Sequence, residues 1–230
     1  EVIGRHNIHI TNLHIHTGSD IKDADVFVKG IEVLFDLIPH FKELKSVDLG
    51  GGFKVPYKTG DEEIDIKILA QKVKHAFDTH PQAKNLQIWF EPGKFLVSAC
   101  GYLVTTVNVM KETRSTHFVS VNSGFNHLIR PMFYDAYHRI DNISNPEGEE
   151  KVYSIVGNIC ETDTFAWDRT LHEVREGDCL VFYNAGAYGF EMSSNFNSRF
   201  KPAEVLFKDG KAVLIRKRDV FEDLLRNQVI

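Results

Sequence analysis

Over residues 1–95, short apolar runs alternate with longer stretches in which apolar side chains recur every three or four positions. ITNLHIHT (residues 10–17), SVDLG (46–50) and LQIWFE (86–91) are predicted strands. DADVFVKGIEVLFDLIPHF (23–41) and IDIKILAQKVKHAFDTH (64–80) are predicted amphipathic helices. Short strands separated by such helices predict βαβ units and a parallel sheet, part of either a (β/α)₈ barrel or a doubly wound sheet. Periodicity alone does not choose. The polar residues favour the barrel, because each strand ends in them: His14, His16, Thr17, Gly18 and Ser19; then Gly50, Gly51 and Gly52; then Glu91, Pro92, Gly93 and Lys94. Barrel enzymes carry their chemistry at the C-terminal ends of the strands.

From about residue 96 the pattern changes to strands punctuated by turn signals: YLVTTVNVMKE, THFVSVNSG, KVYSIVGNIC, DCLVFYNAG and AEVLFKDGKAVLIRKR. Asp209-Gly210 between two apolar runs is a hairpin signal. The expectation is therefore two domains. Residues 1–95 are α/β, the C-terminal part of a (β/α)₈ barrel carrying its last three strands. Residues 96–230 are an antiparallel β-barrel or sandwich, closed by a short helix over 220–226. EVIGRHNIHI reads as a helix end running into a strand with no capping sequence before it, so a fragment is expected.

Composition narrows the class. The chain is 43% hydrophobic and 26% charged, without an apolar run long enough to span a bilayer. A net charge of −5 argues against nucleic acid or an anionic membrane as the main partner. No signal peptide opens the sequence, and the three cysteines form neither a CxxC nor a disulfide framework, so a cytoplasmic location is expected.

Several stretches carry candidate chemistry. HIHTGS puts His14 and His16 on one strand face. A zinc site would need further ligands, and no Cys/His cluster supplies them, so no metal is expected. LGGGF is a glycine-rich turn after a strand; it lacks the GxGxxG spacing of a dinucleotide fold, and by itself it is a tight turn. FEPGK ends a strand in a carboxylate. IRPMFYDAYHRI (129–140) breaks the strand pattern, and taken alone Arg130 is a surface charge among core aromatics. Cys160 would by default be a small buried hydrophobe. It instead adjoins Glu161 in ICETD, within a loop flanked by Gly, Asn and Thr. NAGAYGFEMSSNFNS (184–198) follows, with one tyrosine in a small-residue turn and a run of amides and hydroxyls.

Taken together, HIHTGS, LGGGF, FEPGK, IRPMFY, ICETD and AGAYG resemble the carboxyl-terminal half of the diaminopimelate decarboxylase family, pyridoxal-phosphate-dependent enzymes of the alanine racemase-like fold. The resemblance implies pyridoxal 5′-phosphate as cofactor. His16 would stack on its ring, Ser19 and Tyr188 would bond its phosphate, and Gly50, Gly51, Gly52 and Gly93 would line it. Glu91 would face the pyridinium nitrogen. Cys160 would act as the acid that returns a proton after decarboxylation. Arg130 and Tyr134 would bind a substrate carboxylate and Glu161 the distant amine, with Lys94 standing where the family usually has arginine. The Cys-Glu pair favours diaminopimelate over ornithine, whose decarboxylases carry Asp after the Cys. The resemblance also implies a homodimer that shares its active sites, with a small amino acid as substrate.

The family's Schiff-base lysine lies in a YxxKAN-like motif that these 230 residues do not contain. The chain is therefore expected to be a truncated member whose first five barrel strands lie upstream. Its rivals are a related decarboxylase acting on ornithine, arginine or carboxynorspermidine, and a non-catalytic fragment.

Overall fold

The computed structural model describes residues 2–229. Two compact units meet in sequence between Val97 and Ser98.

The first unit contains α1 (Val2–Arg5), β1 (Asn12–His14), α2 (Ala24–Leu37), β2 (Ser46–Asp48), α3 (Ile66–Thr79), β3 (Gln87–Trp89) and α4 (Gly93–Val97). The strands pair in parallel in the order β1-β2-β3. Each is shorter than its apolar run. Ile15 N still donates to Asp48 O (2.9 Å) and Leu49 N to Trp89 O (3.0 Å), after which the chain leaves the sheet in polar loops. Both long helices begin at an aspartate cap. Asp23 accepts from Asp25 N at 2.8 Å, and Asp65 accepts from Lys67 N and Ile68 N at 2.9 and 3.0 Å. Helix α2 stops short of Phe41 because Pro39 lacks an N–H, and residues Ile38–His40 tighten into a 3₁₀ turn. Its Phe27, Ile31 and Leu34 join Leu69, Val73 and Phe77 of α3 and Val47 of β2 in one core. Burial of each such large side chain stabilises by roughly 1.5–3 kcal/mol. Among the described residues the parallel sheet has three strands and forms no closed barrel.

The second unit contains β4 (Leu103–Glu112), β5 (His117–Val121), α5 (Arg130–Tyr134), β6 (Ile140–Asn142), β7 (Glu150–Val156), β8 (Thr164–His172) and β9 (Cys179–Phe182). It ends with β10 (Glu204–Lys208), β11 (Lys211–Arg216) and α6 (Phe221–Leu225). Six strands form one sheet in the order β6-β9-β4-β5-β7-β8. Its edges curl together: Asn142 Nδ2 in β6 donates to Glu173 O, just past β8, at 2.8 Å, and the sheet is a nearly closed barrel. Val107, Val119, Val121, Leu128, Ile155, Leu180 and Phe182 fill its interior.

Two corrections to the expected all-antiparallel domain follow. Strand β5 pairs with β7 in parallel, since the connection through α5 and β6 is long enough for a crossover, which a hairpin is not. Strands β6 and β8 were not foreseen. In β8 the alternation breaks at Asp168, whose φ of 47° accompanies the register shifts against β7, so the period-2 signal is interrupted. The β10–β11 hairpin forms as expected, with positive φ at both Asp209 (52°) and Gly210 (73°), as a two-residue turn of this hand requires.

Candidate active site

In the first unit His14 and Asp48 end β1 and β2, and the loops that follow β1, β2 and β3 carry His16, Ser19, Gly50–Gly52 and Glu91. His14 Nε2 lies 3.4 Å from Glu91 Oε2. With Asp48, these two place their ligand atoms within 4.8 Å of one another. Such a cluster of imidazole and carboxylates can hold a cation or a protonated heterocyclic nitrogen.

The three glycines are there for room. A Cβ on Gly50 would sit 2.7 Å from His16 Nδ1 and 2.8 Å from Ile15 O. On Gly51 it would strike the Glu91 carbonyl, and on Gly52, at φ +84°, the Gly18 carbonyl. Two of their N–H groups point inward, Gly50 N to Asp48 Oδ1 (2.9 Å) and Gly51 N to His16 Nδ1 (3.4 Å). The glycine turn thus packs the three strand-end loops against one another and orients His16, whose Nδ1 is an acceptor here. Lys94 Nζ is paired with Asp20 Oδ1 at 2.8 Å and its side chain is nearly covered, while Gly93 N donates to Glu91 O at 2.8 Å.

In the second unit Cys160 and Glu161 sit exposed at the tip of the β7–β8 loop. Asn197 Nδ2 reaches Cys160 Sγ at 3.4 Å. The supporting segment is strained: Asn184, Tyr188, Asn197 and Ser198 all have positive φ, a cost held at functional sites by the surrounding structure. Tyr188 stands on a turn locked to the start of the unit by Ala185 N to Gly101 O (2.8 Å) and Gly186 N to Ser98 O (3.1 Å).

A separate network surrounds Arg130. The side chain is buried, and Nη1 donates to His138 Nε2 at 3.1 Å. His138 Nδ1 in turn donates to Tyr183 O at 2.8 Å, which sets the tautomer. Burial holds the His138 imidazole down at about 4, against the pull of that carbonyl, so it is neutral at pH 7. Arg169 lies over the Tyr137 ring at 3.6 Å, and its Nη1 is buried without a hydrogen-bond partner among the described residues. Tyr134 is exposed and packs edge-on against Phe133.

Reasoning from sequence missed Asp48, His138, Asp163 and Arg169. The signals were slight: an acid closing a buried strand, a histidine inside an aromatic run, the second acid of ICETD, and a lone arginine in a broken strand pattern.

Residues 35–186 match the family model described as pyridoxal-dependent decarboxylase, C-terminal sheet domain. The chain belongs to this family. It is 41% identical over 227 residues to the diaminopimelate decarboxylase of Methanothermobacter thermautotrophicus, covering 94% of this chain and 53% of that protein. It is 36% identical over 251 residues to the Escherichia coli diaminopimelate decarboxylase, covering 100% and 58%. Among solved structures, the Methanocaldococcus jannaschii diaminopimelate decarboxylase superposes with a TM-score of 0.87 at 33% identity, covering 96% of this chain and 52% of that one. The same enzyme has also been solved in complex with L-lysine. The chain spans about half the length of the curated relatives it matches.

The family's cofactor is pyridoxal phosphate, and the donor set of the first unit fits its ring. The Glu91 carboxylate beside His14 is suited to a protonated pyridine nitrogen, and His16 is an imidazole oriented by Gly51 N. The lysines near these strand ends are committed to acids, Lys54 to Asp61 and Lys94 to Asp20.

Proposed function

We propose that the whole protein, working with pyridoxal phosphate, decarboxylates meso-2,6-diaminopimelate to L-lysine and carbon dioxide. The first unit is then the end of a (β/α)₈ barrel, domains 1–95 and 96–230 divide the labour, and the working form is a cytoplasmic homodimer. The observation that carries the reading is the loop tip, where a thiol and a carboxylate stand side by side and exposed, with an amide on the sulfur.

Bound pyridoxal phosphate supplies an electron sink conjugated to the carbon that loses its carboxylate. Glu91 would hold the positive charge on the ring nitrogen, the role a carboxylate suits there. His16 would pack on the ring, and Ser19 and Tyr188 would each bond the phosphate. Arg130, held by His138, would bind a substrate carboxylate with Tyr134 through its planar guanidinium fork. Glu161 takes the amine at the far end and selects a substrate with a second zwitterionic centre. Cys160 gives its proton to the carbon left by carbon dioxide, and solvent returns that proton to the thiolate.

The decisive assay is carbon dioxide and lysine release by the complete protein from meso-diaminopimelate, beside ornithine, arginine and carboxynorspermidine. Preference for one of the latter three would move the substrate assignment to a related decarboxylase. Cys160→Ala should lower kcat about 100-fold or more, the usual worth of a positioned general acid. Unchanged turnover would remove Cys160 from its role.

A further inference from the structure

We propose that Asp163 is the positioning residue of the Cys160–Glu161 loop, its buried carboxylate tying both ends of the tip so that the thiol and the acid are presented in one fixed place. The loop occupies residues 157–163 between β7 and β8. Asp163 Oδ2 accepts from Ile159 N at 3.0 Å, directly before Cys160, and Oδ1 accepts from Phe125 N at 2.8 Å in the neighbouring β5–α5 connection. Its main-chain oxygen accepts from Gly157 N at 2.7 Å, closing the base of the loop. Between these bonds only Cys160, Glu161 and Thr162 remain at the tip.

Two glycines make the room. A Cβ on Gly124 would lie 2.6 Å from Asp163 Oδ2, and one on Gly157 would lie 2.6 Å from Oδ1. Neither glycine has a positive φ, so the backbone does not demand glycine at either position; the space for the carboxylate does. The rest of the wall braces the same loop: Asn158 N donates to Ser123 O (3.0 Å), and Arg199 Nη2 to Asn158 O (3.1 Å). Phe125 packs against Phe196 at 5.2 Å, one residue from the Asn197 that meets the thiol. Burial pushes the Asp163 carboxyl up, opposed by the N–H groups of Ile159 and Phe125 and by Arg199.

The catalytic consequence rests on the assignment of Cys160 above; the positioning itself does not. Asp163→Asn keeps the shape but sets an amide N–H against an N–H donor. Gly157→Ala leaves the acid intact and displaces it from the other side. Both variants should speed amide exchange at residues 158–162 while the β4 and β9 amides keep their protection. Unchanged exchange at 158–162 in both variants overturns the proposal, and the second variant decides the matter if the first does not fold. In the complete enzyme Asp163→Asn should lower kcat about 100-fold, the scale of a catalytic group misplaced by about an ångström. In a Cys160→Ala background it should lower kcat little further, because both changes remove one function. Equal losses in both backgrounds would mean a general structural role and overturn the proposal. Faster exchange in a complete protein without decarboxylase activity would leave the positioning standing and remove the proposed function.

Discussion

His138 shows how one buried side chain couples charge, geometry and stability. Its ring is 1% exposed, donates to Tyr183 O and accepts from the Arg130 guanidinium, an arrangement open only to the neutral form. In the unfolded chain the same imidazole titrates near 6.5, and in the fold at about 4. Between these values the unfolded state binds more protons, so this group's contribution to stability is intact above pH 6.5. It is lost as pH falls to about 4 and does not change below that. A displacement of this size corresponds to about 3 kcal/mol across the window. Urea unfolding at pH 7, 5.5 and 4 should show it as a difference between the native chain and His138→Gln, whose pH dependence is flatter. The comparison with the variant matters because burial also lowers His127. Parallel pH profiles would show that His138 is not held neutral.

At the level of elements, stability depends on caps and close backbone approaches. Asp65 satisfies two N–H groups at the start of α3, so Asp65→Ala should cost about 1 kcal/mol, read as a lower urea midpoint with an unchanged slope. Gly52→Ala should cost more, about 2 kcal/mol or above, because a positive φ and a collision with the Gly18 carbonyl act together. The second change also shifts the loop that carries Ser19, so it should weaken cofactor binding, whereas Asp65→Ala should leave it alone. Equal effects on both readouts would mean that the glycine turn has no special part in shaping the strand ends.

For the whole molecule, the first unit holds the His14–Asp48–Glu91 cluster and the glycine turn, and the second holds the thiol loop and the arginine network. The lysines at the strand ends of the first unit are paired with acids. Mixing this chain with pyridoxal phosphate and reducing with borohydride should therefore leave no stoichiometric adduct at a single lysine by intact mass. The complete protein should give one adduct, outside residues 1–230. A specific adduct on Lys54 or Lys94 would mean that this chain carries its own anchoring lysine.

Much of this architecture was legible in the residues alone. The three-and-four spacing of Phe27, Ile31 and Leu34, the aspartate caps, Pro39 and Asp209-Gly210 act over a few residues, so each declares its element without knowledge of the rest. The short motifs declared the family for the same reason. What needed the tertiary structure were contacts between residues distant in the chain. His14 meets Glu91 77 residues away, and Asp163 meets Phe125 38 residues away. The parallel β5–β7 pairing belongs to the same class, as does the bond from His138 to Tyr183 O, 45 residues away. Local pattern says which face of an element is apolar, but packing of the whole chain chooses which elements meet. It also decides which polar groups are carried into the interior, where each must find a partner or remain costly to bury.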